Sequence, residues 1–492
     1  MKFELSFKKI FMIFLVTYPI FDMYPFYNRI TTLIRVAIIT TMFLYVLIKY
    51  KDKKAFLLFF LYFILLGIFF IIHDNHCSFF RSFSPTNFDY NVLEEMLYFV
   101  KMTMPLIFIY ISYKIKLNKK DIKNIIIALS ILISTNIIIT NFFVISYSSY
   151  SNELIKGNFF SWFFGAYAKY GYMQLASKGW FYFANHTIAI LVMILPIIFY
   201  YLIEDFNYKK VIILCCHLFA LVLLGNRTSV IGTYAILLIS IFTYFIFTVI
   251  IKRDKPNKKV LIYMILLIII YPFFIFISPA YQRFEDTKTI VNSVNKETIL
   301  NINNEQKINY IVEEKEKKIN YILTNYKSKM VNPIFFKYYP YEYDTDFWYL
   351  EIKNNDKTNF INYRNLEIKI LNRVIITNNN KYDKLLGISH SRHMNIVNYE
   401  RDYFSQIYSV GIIGLFLLIS PYIIILLYLI IKLFNKKNFK LKNILFIYSL
   451  GIFLSLALLS GNLLNSLSVT VIFSFIMGIM INEENYAIIK KR

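Results

Sequence analysis

The sequence predicts an all-α polytopic membrane protein of about twelve transmembrane helices, with one large external loop between helices nine and ten. Three observations predict it. First, 57% of the 492 residues are hydrophobic and 19% aromatic, and the mean hydropathy is strongly positive, beyond what soluble domains carry. Second, runs of about 20 apolar residues recur, each long enough to cross the hydrocarbon core. Third, only one stretch is both polar and domain-sized, which divides the chain into 1–279, 280–403 and 404–492.

Taken in order, spans are expected near 8–24, 30–49, 55–73, 93–113, 122–146, 180–203, 209–225, 228–251, 259–279, 405–433, 443–463 and 466–484. The first apolar run is followed by no small-residue cleavage site, so it is expected to be retained as a span. Basic clusters at Lys8 and Lys9, Lys49 to Lys54, Lys114 to Lys123, Lys209 and Lys210, Lys252 to Lys259, Lys432 to Lys442, and Lys490 to Arg492 all fall on one side of such a bundle. The short alternate loops nearly lack Lys and Arg. The positive-inside bias then puts both termini in the cytoplasm.

The net charge of +24 is accounted for largely by these juxtamembrane lysines. No arginine-rich arm and no nucleic-acid-binding motif accompanies it, which excludes nucleic acid as partner. The three cysteines, Cys77 outside and Cys215 and Cys216 adjacent within a span, form no paired framework. The richness in Ile, Asn, Lys, Phe and Tyr is that of an AT-rich bacterial genome.

Three external segments are long enough to matter. Between His73 and Glu94, His73, His76 and Cys77 have spacings a metal could use, but no fourth ligand stands near, and headgroup-level polar residues are the better reading. The segment from Tyr147 to Lys178 is crowded with rings, as an interfacial aromatic belt or a re-entrant groove lining would be. Beyond it Lys178, Gly179 and Trp180 open span six, with Asn185 and His186 one turn inside, where polar groups tend to face a cavity. The third segment, from Pro279 to about Phe404, carries Ile308, Ile311, Val312, Ile319, Ile322, Leu323 and Tyr326 at helical spacing. Glu313 and Glu314 stand one turn before Lys317 and Lys318, and the helix is expected to end before Asn332-Pro333.

The chemistry is expected between His390 and Gly414. There Glu400, Arg401 and Asp402 enter span ten, and a partly buried carboxylate such as Glu400 can act as general base. The bland alternative is helix N-terminal charge. His390 and His393 stand close by in sequence. Arg227 lies in a tight external turn at the start of a span, where a helix N-terminus beside a guanidinium suits a phosphate; snorkelling to headgroups is the alternative. Asp344-Thr345-Asp346 imitates a nucleotide-sugar metal motif but lies outside the membrane with no nucleotide-binding fold around it. His390 and His393 lack the glutamate of a metalloprotease motif, and there is no phosphate-binding loop. No metal, ATP or other cofactor is expected.

At this point the chain resembles the bacterial O-antigen ligase/polymerase family of membrane glycosyltransferases. The resemblance covers nearly the whole length. Four patches carry it: Lys178-Gly179-Trp180-Phe181 with Asn185; Arg227-Thr228; Asp346-Phe347-Trp348; and Glu400-Arg401-Asp402 followed by Gly411-Ile412-Ile413-Gly414. It implies a glycan on undecaprenyl pyrophosphate as donor, an acceptor glycan hydroxyl as nucleophile, and the bilayer of the bacterial cytoplasmic (inner) membrane as setting. A chain-length regulator and a flippase would be its companions. Arg227 matches the family arginine at the start of a span; for the second, in the large loop, Arg283, Arg364 and Arg373 are candidates. Lys178, Arg401 and Trp348 complete the substrate-binding set. Ligases of the family carry a His-Asn pair nine residues before a GxxG, and those two positions are Glu400 and Arg401 in this chain. That departure favours a polymerase of lipid-linked repeat units of O-antigen or capsule over a ligase, with His390 and His393 as further catalytic candidates. A polysaccharide flippase or exporter would fit the span count, but no internal repeat is evident and the polar residues gather at one face. A structural partner in polysaccharide assembly would carry no charged cleft there.

Overall fold

The computed structural model describes residues 2–80, 89–253, 256–286, 313–327, 329, 331–354, 363–397, 400–435, 438–459 and 461–489. Its regular elements among the described residues are all helices, and β-pairing there is limited to isolated bridges at Met23–Phe181, Tyr147–Leu154 and Ser148–Ser177.

Nine helices among the described residues are long and apolar enough to cross a membrane, fewer than the twelve expected: Arg29–Tyr50, Lys53–Ser78, Val92–Lys114, Lys119–Phe142, Ala184–Glu204, Thr228–Ile250, Lys258–Ile277, Asp402–Leu433 and Leu441–Leu459. The other three expected spans coincide with further helices. Lys2–Thr17 has 16 residues and gives way to a tight turn containing Pro19. Tyr208–Leu224 has 17 and is stopped by Gly225, whose φ of 64° is a left-handed cap. Leu467–Asn482 is the third. The first two fall short of the roughly 20 residues a 30 Å core asks for, whereas the third helix runs on to Ile489, 23 residues in all.

The chain divides into two compact units. One comprises Met1–Lys53, Lys101–Phe284 and Pro421–Arg492; the other comprises Lys54–Val100 and Glu285–Ser420.

In the first unit the helix Ala184–Glu204 is the hub. Nearly every residue from Thr187 to Leu202 is buried, which requires an all-round apolar helix enclosed by neighbours. The helices Lys119–Phe142, Tyr208–Leu224, Leu441–Leu459 and Leu467–Ile489 pack around it. Buried polar side chains bridge the helices. His217 lies between the Ser130 hydroxyl (2.8 Å) and the Leu191 carbonyl (3.0 Å), and Ser449 donates to the Met193 carbonyl at 2.5 Å. Arg35 meets Asp22 at 2.6 Å, and Ser468 bonds both. In hydrocarbon such groups persist only when paired.

The second unit holds the described part of the polar insert. Its helices Glu313–Asn325, Ile334–Tyr338, Thr345–Lys353, Arg364–Asn378 and His390–Ile396 close over one apolar core that includes Ile322, Phe335, Trp348, Leu366, Ile370 and Val374. The expected amphipathic helix is present from Glu313 to Asn325; Ile308, Ile311 and Val312 lie outside the described residues. Lys318 pairs with Glu314 one turn back, and also with Asp346, both at 2.9 Å.

Candidate functional site

In the first unit the ring-rich segment is a folded cap. Tyr147 and Lys178 pair through Tyr147 N to Gly179 O and Lys178 N to Tyr147 O, both 2.9 Å. Ser177 N then donates to Leu223 O at 2.8 Å, fixing the segment to the end of helix Tyr208–Leu224. Gly179 has φ +68°, and a Cβ there would stand 2.3 Å from Asn136 Oδ1, the atom that accepts the Trp180 amide at 3.0 Å. Only glycine fits between lysine and tryptophan at that point. Lys178 is buried. Its ammonium donates to the Ser151 carbonyl (3.0 Å) and to Asn152 Oδ1 (3.4 Å), and burial draws its pKa down to about 8.

The turn that carries Arg227 is built just as tightly. A Cβ on Gly225 would lie 2.8 Å from Ala176 and 2.9 Å from Pro279. Asn226 and Ser229 exchange hydrogen bonds at 3.0 and 2.8 Å, and Asn226 also reaches Asn185 at 3.4 Å. Arg227 itself is exposed and makes no ion pair among the described residues. The Tyr150 hydroxyl donates to Gly225 O at 2.9 Å, while Arg283 lies with its guanidinium 5.2 Å from the Tyr150 ring centre and one nitrogen 3.5 Å from its hydroxyl. Burial raises the Tyr150 pKa, and both Arg283 and Arg227 act against that rise, so both cations are within electrostatic reach of one phenol. Within this unit Arg283 is thus brought beside the Arg227 turn.

In the second unit the stretch from Leu385 to Gly414 is organised by two glycines. Gly387 (φ +82°) and Gly411 (φ +70°) cross backbone against backbone: a Cβ on Gly387 would be 2.4 Å from Ser409 O. At Gly411 the helix Asp402–Leu433 is broken, and the carbonyls freed one turn earlier are taken up by the loop, Ile388 N to Tyr408 O at 2.8 Å and Ser389 N to Ser409 O at 3.0 Å. Gly414 lets the Phe69 ring approach.

The helix His390–Ile396 starts at Ser389, whose hydroxyl caps Arg392 N at 3.1 Å. The HDNHC segment, expected at headgroup level, is its seat instead, with His73 and Cys77 buried. Buried Glu95 accepts Ser391 N at 2.7 Å and faces His73 at 3.4 Å; His73 donates to Leu386 O at 2.7 Å; His76 pairs with Asp383 at 2.9 Å. Arg392 donates to Cys77 O at 2.7 Å and lies over the Phe80 and Tyr90 rings. Among the described residues no group of three His, Cys, Asp or Glu could hold a metal.

The predicted site residues are distributed unevenly. His390 stacks on Tyr98 with ring centres 4.0 Å apart. His393 is fully buried and parallel to Tyr408 at 6.3 Å, neither ring nitrogen has a hydrogen-bond partner, and burial lowers its pKa to about 3. Such an imidazole is a neutral core side chain. Trp348 is likewise fully buried, its indole donating to Tyr339 O at 2.9 Å. Arg373 is engaged by both oxygens of Asp344 at 2.7 and 3.2 Å. Burial would push the Asp344 carboxyl up, but hydrogen bonds from Arg373, Tyr339 and the Phe347 amide outweigh it and hold the pKa below the usual value. Asp344 thus caps the helix Thr345–Lys353.

Four charged groups gather where the helix Asp402–Leu433 begins. Glu400 is exposed and meets Arg364 at 3.3 Å. Glu367, one turn along from Arg364, has its Oε2 buried without a partner, as has Arg401 its Nε. Burial, and next the Glu400 charge, push the Glu367 carboxyl up to about 7 against the pull of Arg364 and Arg401. Sequence reasoning missed Glu367; its i, i+3 spacing from Arg364 was the available signal. It also missed Asp22 and Arg35, although single charges in apolar runs call for a partner.

An apolar multi-helix scaffold of this kind, with nine helices among the described residues long and apolar enough to cross a membrane, is the class of a multi-pass membrane protein. Over residues 5–485 the chain matches the family described as O-antigen ligase like membrane protein, and it belongs to that family. This places it in polysaccharide biosynthesis. No curated protein and no solved structure matches it.

Proposed function

We propose that this protein is a glycosyltransferase of the bacterial cytoplasmic membrane that polymerises undecaprenyl-pyrophosphate-linked oligosaccharide units of a surface polysaccharide. The observation that carries the reading is the Arg227 turn: an exposed guanidinium at a helix start, with Arg283 beside it through Tyr150. Two cations and helix amides suit a pyrophosphate leaving group. Lys178, buried with neutral partners only, adds a positive charge to the same cap. The acceptor hydroxyl loses its proton to a carboxylate, a role for which the sequence offers Glu400. The lipid pyrophosphate is already activated, so neither ATP nor a metal enters the scheme.

Polymerisation is favoured over ligation by the fate of the histidines. Glu400 and Arg401 occupy the places of the ligase His-Asn pair, and buried His393, with no polar contact, is badly placed to substitute. Deleting the gene in its host and resolving the surface glycan on a gel tests this. Single repeat units in place of a ladder support polymerase. Long chains retained on the lipid carrier would replace it with ligase, and loss of all external glycan with a flippase. Arg227→Ala and Arg283→Ala should each reproduce the deletion pattern, with transfer down about 100-fold, the cost of removing one anion-stabilising donor.

A further inference from the structure

We infer that Glu367, rather than Glu400, is the carboxylate that accepts the proton from the acceptor sugar's hydroxyl, with Arg401 Nε as the neighbouring donor to the sugar. The inference rests on the glycosyl-transfer function proposed above and assigns one of its roles.

The two carboxylates are held differently. Glu400 has a side chain 48% exposed, and its Oε2 already receives the Arg364 guanidinium at 3.3 Å. A lone pair committed to a guanidinium in water is a poor proton acceptor. Glu367 Oε2 is shut off from solvent and has no hydrogen-bond partner. Its helix is fixed by Leu366, Ile370 and Leu371, all fully buried, so the carboxylate is held by a rigid element. Arg401 Nε is in the same condition, a buried N–H with nothing to donate to. A buried acceptor and a buried donor left open in one cluster is the pattern of a site completed by a ligand hydroxyl.

The charges around Glu367 are Glu400, Arg364 and Arg401, and their balance with burial holds it near the pH at which it must work. The acceptor oxygen forms its bond to the anomeric carbon of the donor as its proton passes to Glu367 Oε2. The bond from that carbon to the pyrophosphate oxygen breaks, and its electron pair leaves on the lipid pyrophosphate. Glu367 gives up the proton when the product departs and solvent reaches the carboxylate.

The test uses membranes of the deletion strain carrying the full chain or its variants, supplied with the host's own undecaprenyl-pyrophosphate-linked units, with polymer formation followed from pH 5 to 9. The wild type is expected to rise with pH through an apparent pKa of about 7. Glu367→Gln is expected to lose about 100-fold or more at every pH and to lose that limb. Glu367→Asp should keep measurable transfer with the limb displaced. Glu367→Gln transferring at the wild-type rate with the wild-type limb overturns the assignment and leaves glycosyl transfer standing. So does a Glu367→Gln protein absent from the membrane together with a stable Glu367→Asp whose limb has not moved. A wild type that forms no polymer at any pH overturns the transferase reading and the assignment with it.

Discussion

Gly411 and Leu385 touch backbone to backbone: a Cβ added to Gly411 would stand 2.2 Å from the Leu385 carbonyl oxygen. This contact decides the shape of the helix Asp402–Leu433. Its break leaves carbonyls that Ile388 and Ser389 satisfy, and those residues in turn start the helix of His390. Gly411→Ala should therefore fail on two counts. With φ 70° and ψ −178° the residue sits in a region essentially confined to glycine, which costs an alanine about 1–3 kcal/mol, and the clash must be relieved by moving the loop. The expected outcome is a large loss of folded protein, seen as a collapsed monodisperse peak in detergent size exclusion. Gly451→Ala, where the added methyl meets nothing within 4 Å, should leave the peak unchanged.

Glu400 acts on Glu367 through its charge. Replacing it by glutamine removes a negative neighbour and releases Arg364, and both changes favour the ionised form of Glu367. In Glu400→Gln the acid limb of transfer should shift to lower pH, with a plateau rate within about tenfold of wild type. Rate against pH in membranes measures it. A limb that moves upward or stays in place would contradict this electrostatic arrangement.

The same carboxyl links stability to pH with a definite sign. Its pKa is raised from 4.5 to about 7 in the folded chain, so folding favours the protonated form. Between those values the folded state binds more protons than the unfolded one, and stability falls as pH rises through that window. Glu367→Gln removes the penalty. Its thermal midpoint should exceed that of wild type at pH 8 and match it at pH 4, by scanning fluorimetry of the purified protein.

Much of the architecture was legible from apolar runs because hydrocarbon imposes length and composition on a span. The helices ending at Thr17 and Leu224 are shorter than the apolar runs that contain them, because hydropathy does not register where Pro19 or Gly225 stops a helix. Lys178-Gly179-Trp180, Arg227 and Gly411 stood out because special backbone or a charge out of place is visible residue by residue. Trp348 and His393 were misleading for the converse reason. Their residue types suit a binding surface, but only tertiary packing shows that each fills a core. That Arg283 reaches the Arg227 turn depends on Tyr150, more than 130 residues away in sequence, which no local pattern connects to it.

Asp22 and Arg35 are nearly fully buried, 2.6 Å apart, with Ser468 bonded to both, so they join the ends of the first two helices to the last. A paired charge in a low-dielectric interior contributes less net stability than its contact suggests, because both ions were desolvated to form it. Removing one partner is different, since the survivor is left charged and buried. Arg35→Met alone should cost about 3–5 kcal/mol. The double change Asp22→Asn with Arg35→Met should recover much of that loss, since no unpaired ion remains. Unfolding midpoints of the two single variants and the double variant form a thermodynamic cycle that measures the coupling. Strictly additive losses would mean that the pair is solvated in the membrane-embedded protein, and that the end of the first helix is held by Tyr18 on the Leu467 carbonyl (3.0 Å) instead.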